Sequence, residues 1–292
     1  MPELPEVEVV RLGLEPVVTG AVVRAVEVLD ERSLRRHEGS SEQFAGLLEG
    51  ARLEAPRRRG KFLWVPIEGR DEALVGHLGM SGQLLFREPG AAAPRHLRVR
   101  LTLEGPNGRY DVVFVDQRVF GSLAVDVLRP APDAPDDPAE RVPGQVVHIA
   151  RDPLDARFDD EAFVAALRRR RSPVKAALLD QSLVSGIGNI YADEALWRAR
   201  VHFARQADGL SARTVRGLLG HVRDVFAQAL VEGGTSFDAQ YVNVNGQAGY
   251  FAHSLNAYGR EGQPCPRCGT PLRRVPFANR SSHFCPRCQR LR

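Results

Sequence analysis

The chain has 292 residues, 43% of them hydrophobic and 26% charged, with a formal net charge of +4. That length accommodates two domains with cores of their own, and the composition is that of a globular protein, not of a disordered or fibrous one. No apolar run reaches the length of a membrane span. Glu3, Glu6 and Glu8 are incompatible with a secretory leader, so a cytoplasmic protein is expected.

The charge is unevenly spread. Eight arginines and one acid (Glu261) lie between Arg260 and Arg292, whereas the stretch from Asp126 to Asp160 is acidic. A basic C-terminal module points to a polyanionic partner. Of the forty basic residues only Lys61 and Lys175 are lysine. A lysine kept against such a bias toward arginine marks a position where a compact ammonium is required, so both are candidate functional residues.

In chain order, Met1-Pro2-Glu3 comes first. Removal of Met1 leaves Pro2 with a secondary amine whose pKa, near 8 for an α-amino group, keeps a useful fraction uncharged. The adjoining Glu3 supplies a carboxyl group, and amine plus carboxylic acid is a Schiff-base constellation. Val7, Val10, Leu14 and Val17 follow at helical spacing, with Pro16 and Gly20 expected to close the helix.

Seven short β-patterned runs come next, at Val22–Leu29, Phe62–Ile67, Ala73–Leu78, Gly82–Phe86, Leu97–Leu103, Tyr110–Val115 and Ser122–Leu128, with a short helix at Gln43–Leu48. Many short strands punctuated by Gly and Pro predict a sandwich or barrel. Pro130 to Pro143 holds five prolines and four acids and predicts a linker. Helices are then expected over Phe158–Arg171, Ser172–Gln181, Asn189–Ala199 and Ser211–Glu232. The turn Ser185-Gly186-Ile187-Gly188-Asn189, feeding a helix N-terminus, is one that can present backbone N–H groups to a phosphate.

Cys265-x2-Cys268-x16-Cys285-x2-Cys288 uses every cysteine in the chain. Two such knuckles predict one structural Zn2+ with all four ligand positions filled and none open for catalysis. The hairpin between them carries Arg280, placed to reach a phosphate or groove.

Taken together, Pro2-Glu3-Leu4-Pro5-Glu6-Val7-Glu8, Gly76-His77-Leu78-Gly79-Met80-Ser81-Gly82, Asp116-Gln117-Arg118-Val119-Phe120-Gly121, Gly186-Ile187-Gly188-Asn189-Ile190-Tyr191-Ala192-Asp193-Glu194, Tyr258-Gly259-Arg260 and the four-cysteine hairpin resemble the formamidopyrimidine-DNA glycosylases over nearly the whole chain. The resemblance implies an α+β, two-domain fold. Its expected parts are an N-terminal helix and β-sandwich over 2–130, a linker over 131–149, a helix-two-turn-helix domain over 150–235, a lesion-recognition loop over 236–257 and a zinc finger over 258–292.

It implies excision of oxidised purines, 8-oxoguanine and formamidopyrimidines, from double-stranded damaged DNA in base excision repair. The strand is then cut by β,δ-elimination, all by a monomeric bacterial enzyme. Pro2 would attack the sugar C1′, with Glu3 as general acid at the ribose oxygen and Glu6 holding the N-terminus. Met80, Arg118 and Phe120 would fill the gap left by the flipped nucleotide. Lys61, His77, Asn189, Tyr258 and Arg280 match DNA-contacting positions, Lys61 counting also among the catalytic residues with Pro2 and Glu3, and Lys175 matches a lysine near the damaged base and its phosphate. Gln117 and Val119 replace the more familiar Pro and Arg around Arg118, a departure at the opposite-base wedge, and Ser281-Ser282 stands where a small residue and Thr are common. An enzyme for oxidised pyrimidines resembling endonuclease VIII, and a non-catalytic damaged-DNA-binding protein, are the alternatives. The second has no need of a free Pro2 beside Glu3.

Overall fold

A computed structural model describes residues 2–106, 108–235, 244–247 and 249–291. The chain divides into two compact units. The first comprises residue 2, residues 6–148 and residues 235–249; the second comprises residues 3–5, 149–234 and 250–292. Of the lesion-recognition loop expected at 236–257, residues 236–243 and 248 lie outside the described residues.

Helix α1 (Leu4–Val18) buries Val7, Val10, Leu14 and Val18, a stripe at intervals of three and four that faces the core of the first unit. Pro16 does not end it as expected. So close to the C-terminus the missing proline N–H costs a single helical bond, and the helix runs on until Gly20 turns left-handed at φ 77°. Helix α2 (Ser41–Leu48) opens with a capping box in which Ser40 and Gln43 exchange side-chain and backbone bonds.

Among the described residues, the strands of the first unit form two antiparallel sheets. One runs β1 (Val22–Val28), β6 (Leu97–Gly105), β7 (Gly108–Asp116), β5 (Gly82–Arg87); the other runs β2 (Arg57–Arg59), β3 (Phe62–Pro66), β4 (Glu72–His77), β8 (Ser122–Pro130), β9 (Arg141–Pro143). In β6 the alternation of sequence becomes alternation of burial, with Val99, Leu101 and Leu103 inward. These residues share one apolar cluster with Leu63, Val65, Leu74 and Leu123 of the second sheet and with Phe44 and Leu48 of α2. The expected sandwich is thus the observed one.

Two strands are not legible in the sequence. β2 is three arginines, and β9 lies inside the stretch expected to be a linker. β9 pairs with Leu128–Pro130, and the buried guanidinium of Arg59 binds Asp133 at 3.1 Å and Glu140 at 3.0 Å. Ladder bonds and ion pairs therefore hold the acidic, proline-rich segment onto the sheet, and the first unit continues to His148.

In the second unit, α3 (Asp160–Arg168), α4 (Val174–Leu179), α5 (Asn189–Ala199) and α6 (Ala212–Val231) surround a single apolar cluster. Every residue of α5 from Ile190 to Trp197 is buried, which makes it the central helix. Asp159 caps α3 through Ala162 N and Ser211 caps α6 through Thr214 N. β10 (Arg273–Phe277) and β11 (Arg280–Phe284) make the hairpin between the cysteine knuckles.

Candidate functional site

In the second unit the Gly-rich turn before α5, expected from its sequence to present N–H groups to a phosphate, gives three N–H groups to a different acceptor. It holds an anion of the chain itself. Glu3 is buried, and its carboxylate accepts from Gly188 N (2.6 Å), Ile190 N (2.9 Å) and Tyr191 N (3.4 Å) at the positive end of α5. Leu4 N donates to Gly186 O at 3.0 Å, adding a backbone tie. Both glycines are required by this fit. Gly186 has φ 87°, and a Cβ there would stand 2.6 Å from Leu4; a Cβ on Gly188 would fall inside the Glu3 carboxyl group.

Lys175 also differs from expectation. Its ammonium is fully buried and lies 2.7 Å from Asp193 of α5. It also donates to Ser281 O (2.9 Å) and Ser282 Oγ (2.8 Å) of β11. Burial lowers its pKa against the opposing pull of Asp193. With its donors committed inside the fold, Lys175 ties α4, α5 and the hairpin together and does not reach outward to a phosphate. The other Asp193 oxygen takes the His283 backbone N–H at 2.8 Å. The next residue, Glu194, accepts the N–H groups of Asn256, Ala257 and Tyr258, the last two at 2.8 and 2.9 Å. Sequence reasoning missed both acids. Their signal is a pair of carboxylates inside a run, Ile190 to Trp197, that has no other charged residue.

Asn189 opens α5, and its side chain hydrogen-bonds Tyr258, whose phenol pKa is raised by burial. The Tyr258 ring lies 4.7 Å from that of His283. Arg280 stands exposed where the hairpin turns, just after Ala278 in the left-handed region at φ 51°.

In the first unit, Pro2 is buried and Glu6 accepts Thr235 N at 2.8 Å. Lys61 sits in the turn between β2 and β3, and His77 ends β4. The His77 pKa is lowered to about 4 by burial and then by Arg36, Lys61 and Arg35, so its imidazole is neutral. Its Nδ1 accepts Gly79 N at 3.2 Å, which leaves Nε2–H as the outward donor.

Met80 and Phe120 are each 43% exposed, unusual for large apolar side chains, and the Arg118 guanidinium lies 4.8 Å from the Phe120 ring centre. Their loops are shaped by residues that sequence reasoning passed over. Buried Asp116 accepts from Ser81 Oγ, Arg118 N (3.1 Å) and Gly121 N (2.7 Å). Arg35 donates to the carbonyls of Val119 and Phe120, which holds β-branched Val119 at φ 53°.

The sulfurs of Cys265, Cys268, Cys285 and Cys288 lie within 4.8 Å of one another. Tetrahedral zinc with Zn–S bonds of about 2.3 Å places its sulfurs about 3.8 Å apart, so the cluster fits one structural ion. The Trp197 indole N–H points at Cys265 Sγ (3.4 Å), as a donor to a thiolate should.

A family model described as the formamidopyrimidine-DNA glycosylase N-terminal domain matches residues 1–123. The H2TH domain of the same enzymes matches 149–240, and a zinc finger found in FPG and IleRS matches 262–291. A formamidopyrimidine-DNA glycosylase of Leifsonia xyli subsp. xyli is 58% identical over 100% of both chains. The chain belongs to the formamidopyrimidine-DNA glycosylase family. Another member, from a Nocardioides species, is 59% identical over 99% of this chain and 94% of its own.

Among solved members of the family, the MutM (Fpg) protein of Thermus thermophilus superposes with a TM-score of 0.81 at 38% identity over 100% of both chains. The Lactococcus lactis Fpg in complex with abasic-site DNA gives a TM-score of 0.83 at 28% identity over 99% of both. A variant of the same protein bound to Fapy-dG DNA gives 0.84 at 29% over 99% of this chain and 100% of its own.

Proposed function

We propose that the chain is a bifunctional DNA glycosylase and abasic-site lyase of base excision repair that removes oxidised purines from duplex DNA. The observation that carries this reading is Glu3. Its carboxylate is fixed by three N–H groups at a helix N-terminus, in the residue next to Pro2. Support comes from relatives whose solved complexes contain abasic-site and Fapy-dG DNA.

With Met1 removed, the neutral Pro2 amine attacks C1′ of the flipped nucleotide and the damaged base departs. The amine proton passes to the Glu3 carboxylate, which accepts it and delivers it to the ring oxygen as the sugar opens to an iminium. The iminium withdraws electrons from C2′, and loss of a C2′ proton expels the 3′ phosphate; a second elimination expels the 5′ phosphate.

Met80 and Phe120 fill the vacated stack and Arg118 hydrogen-bonds the orphaned base. Lys61 and Arg280 meet phosphates as charges, and His77, Asn189 and Tyr258 as neutral donors. Glu6 steadies the N-terminal helix through Thr235. The zinc supplies folding energy to the hairpin and no chemistry. The protein acts as a monomer in the bacterial cytoplasm. The bacterial sources of its relatives support that location, and among the described residues no helix is long and apolar enough to cross a membrane.

Borohydride reduction in the presence of duplex DNA containing 8-oxoguanine or an abasic site tests the chemistry. A covalent complex mapped to Pro2 is expected. Its absence with protein shown to lack Met1 removes the Schiff base, and preference for oxidised thymine in the same assay transfers the chain to the pyrimidine-specific reading.

A further inference from the structure

At the open end of the zinc hairpin, away from Arg280, lies a cavity of about 590 Å3 lined by Arg200, Arg205, Arg267, Arg287 and Arg290 together with Cys268 and Cys288. The five-residue strands β10 and β11 separate this end from the Arg280 turn by about 15 Å at 3.3 Å per residue. It is therefore a different place from the tip to which the DNA contact is assigned.

The simplest role for these arginines is to neutralise the zinc centre. Four thiolates on a divalent ion carry a net charge of about −2, which two guanidiniums satisfy, so a surplus of about +3 is left. Among the described residues no acidic side chain is within ion-pair distance of any of the five, although many other arginines of the chain are paired with Asp or Glu. Two of the five are also held in place by the fold. Arg267 stacks 4.2 Å from the Trp197 ring and donates to Trp197 O at 3.0 Å, which fixes its guanidinium plane. Arg200 ends α5 in the left-handed region at φ 56°, where glycine is unstrained and a residue with a Cβ is not. A long cationic side chain at that position contributes something that glycine cannot.

We infer that this cavity is a second anion site, built for the phosphodiester backbone of a nucleic-acid segment other than the duplex that carries the lesion. The lining is guanidinium and thiolate, with no apolar side chain on which a peptide could anchor. Arginine forks match phosphate oxygens in pairs. Two separated phosphate sites on one protein let it hold one DNA segment while taking hold of another, a route for transfer between segments without release into solvent. The nature of the polyanion rests on the DNA-repair reading above; the existence of the anion site does not.

The test uses zinc-loaded protein whose primary site is filled with a short duplex bearing an uncleavable abasic analogue. A labelled lesion-free DNA fragment is then titrated, with inorganic tripolyphosphate and a glutamate-rich peptide of equal charge as competitors. Wild-type protein is expected to bind the fragment, and tripolyphosphate to displace it better than the peptide. The variant R200Q/R287Q/R290Q should lose at least about tenfold in this second affinity at moderate salt, with a shallower salt dependence, while retaining its zinc and its excision activity on a short duplex.

No second binding by wild-type protein, or equal binding by the variant, overturns the proposal, and better displacement by the peptide replaces the DNA backbone with an acidic protein partner. If the triple variant loses zinc, the single variants R200Q and R290Q decide, each expected to weaken the second binding by roughly threefold. Failure of excision by wild-type protein would count against the proposed activity alone, because the second-site titration needs no turnover.

Discussion

Lys175 and Asp193 form an ion pair of 2.7 Å with side-chain exposures of 0% and 1%. A buried pair contributes little net stability over an apolar pair of the same volume, yet breaking it is costly because it strands a charge. Lys175→Met is therefore expected to destabilise the second unit by about 3–5 kcal/mol. Replacing Asp193 by Asn in the same chain, which removes the stranded charge and keeps an acceptor for His283 N, should recover part of that loss. Thermal unfolding of the zinc-loaded proteins checks both; equal midpoints for the single and double variants would show that the pair is not coupled.

Gly188→Ala places a methyl group where the Glu3 carboxyl sits. Because Glu3 cannot keep its bonds to Gly188, Ile190 and Tyr191 together with that methyl, single-turnover base excision should fall by about 100-fold or more, the ordinary scale for a displaced proton carrier. Duplex binding, which draws on other residues, should change little. An equal loss in binding and excision would place the defect in folding of the turn.

Gly79→Ala is the corresponding change in the first unit. The residue has φ 63°, and a Cβ would collide with the Phe120 carbonyl and stand 2.5 Å from Gly121 N. The two loops bearing Met80 and Phe120 must then part. Expected are a loss of about 2 kcal/mol or more in stability and weaker selection of lesion-bearing over intact duplex. Met80→Ala, which trims an exposed side chain, should affect selection without the stability loss.

His77 makes stability depend on pH. Its folded-state pKa is lowered to about 4 from the ordinary 6.5, so between these values the unfolded chain binds a proton that the folded protein refuses. Its contribution is complete above pH 6.5 and is lost as pH falls toward 4, by up to about 3 kcal/mol. Denaturant unfolding of wild-type protein and His77→Gln at pH 7 and pH 5 checks the sign: the gap between them should shift in the variant's favour at the lower pH.

Removing zinc should unfold the hairpin, since about thirty residues bury too little apolar surface to fold alone. Chelation is expected to abolish duplex binding, and zinc readdition to a reduced sample to restore it. Retained binding by metal-free protein would separate the hairpin from DNA recognition.

Much of this architecture is legible because it is periodic. The burial of β6 follows its sequence alternation residue by residue, and α5 begins at Asn189 and ends at Ala199 where its flanking signals place it. β2 and β9 are not legible because partners hold them, and Arg59 gives no hint that Asp133 and Glu140 will answer it. In the candidate site, the four cysteines declare themselves by residue type and spacing. Asp193 does not, because the residue that fixes its purpose, His283, is 90 positions away. The Gly186–Gly188 turn is legible as an anion holder but its anion is not, since nothing local distinguishes a phosphate from a carboxylate arriving from the chain terminus.

The Glu3 carboxylate also sets a timetable. Its donors lie 185 to 188 residues downstream, so during synthesis the carboxylate lacks these partners until nearly two thirds of the protein has been made. At ordinary translation speeds this interval lasts about 10–40 s. Removal of Met1, on which a reactive amine at Pro2 depends, has that interval in which to act before the fold draws the terminus inward. A growing chain still lacking α5 has no seat for Glu3.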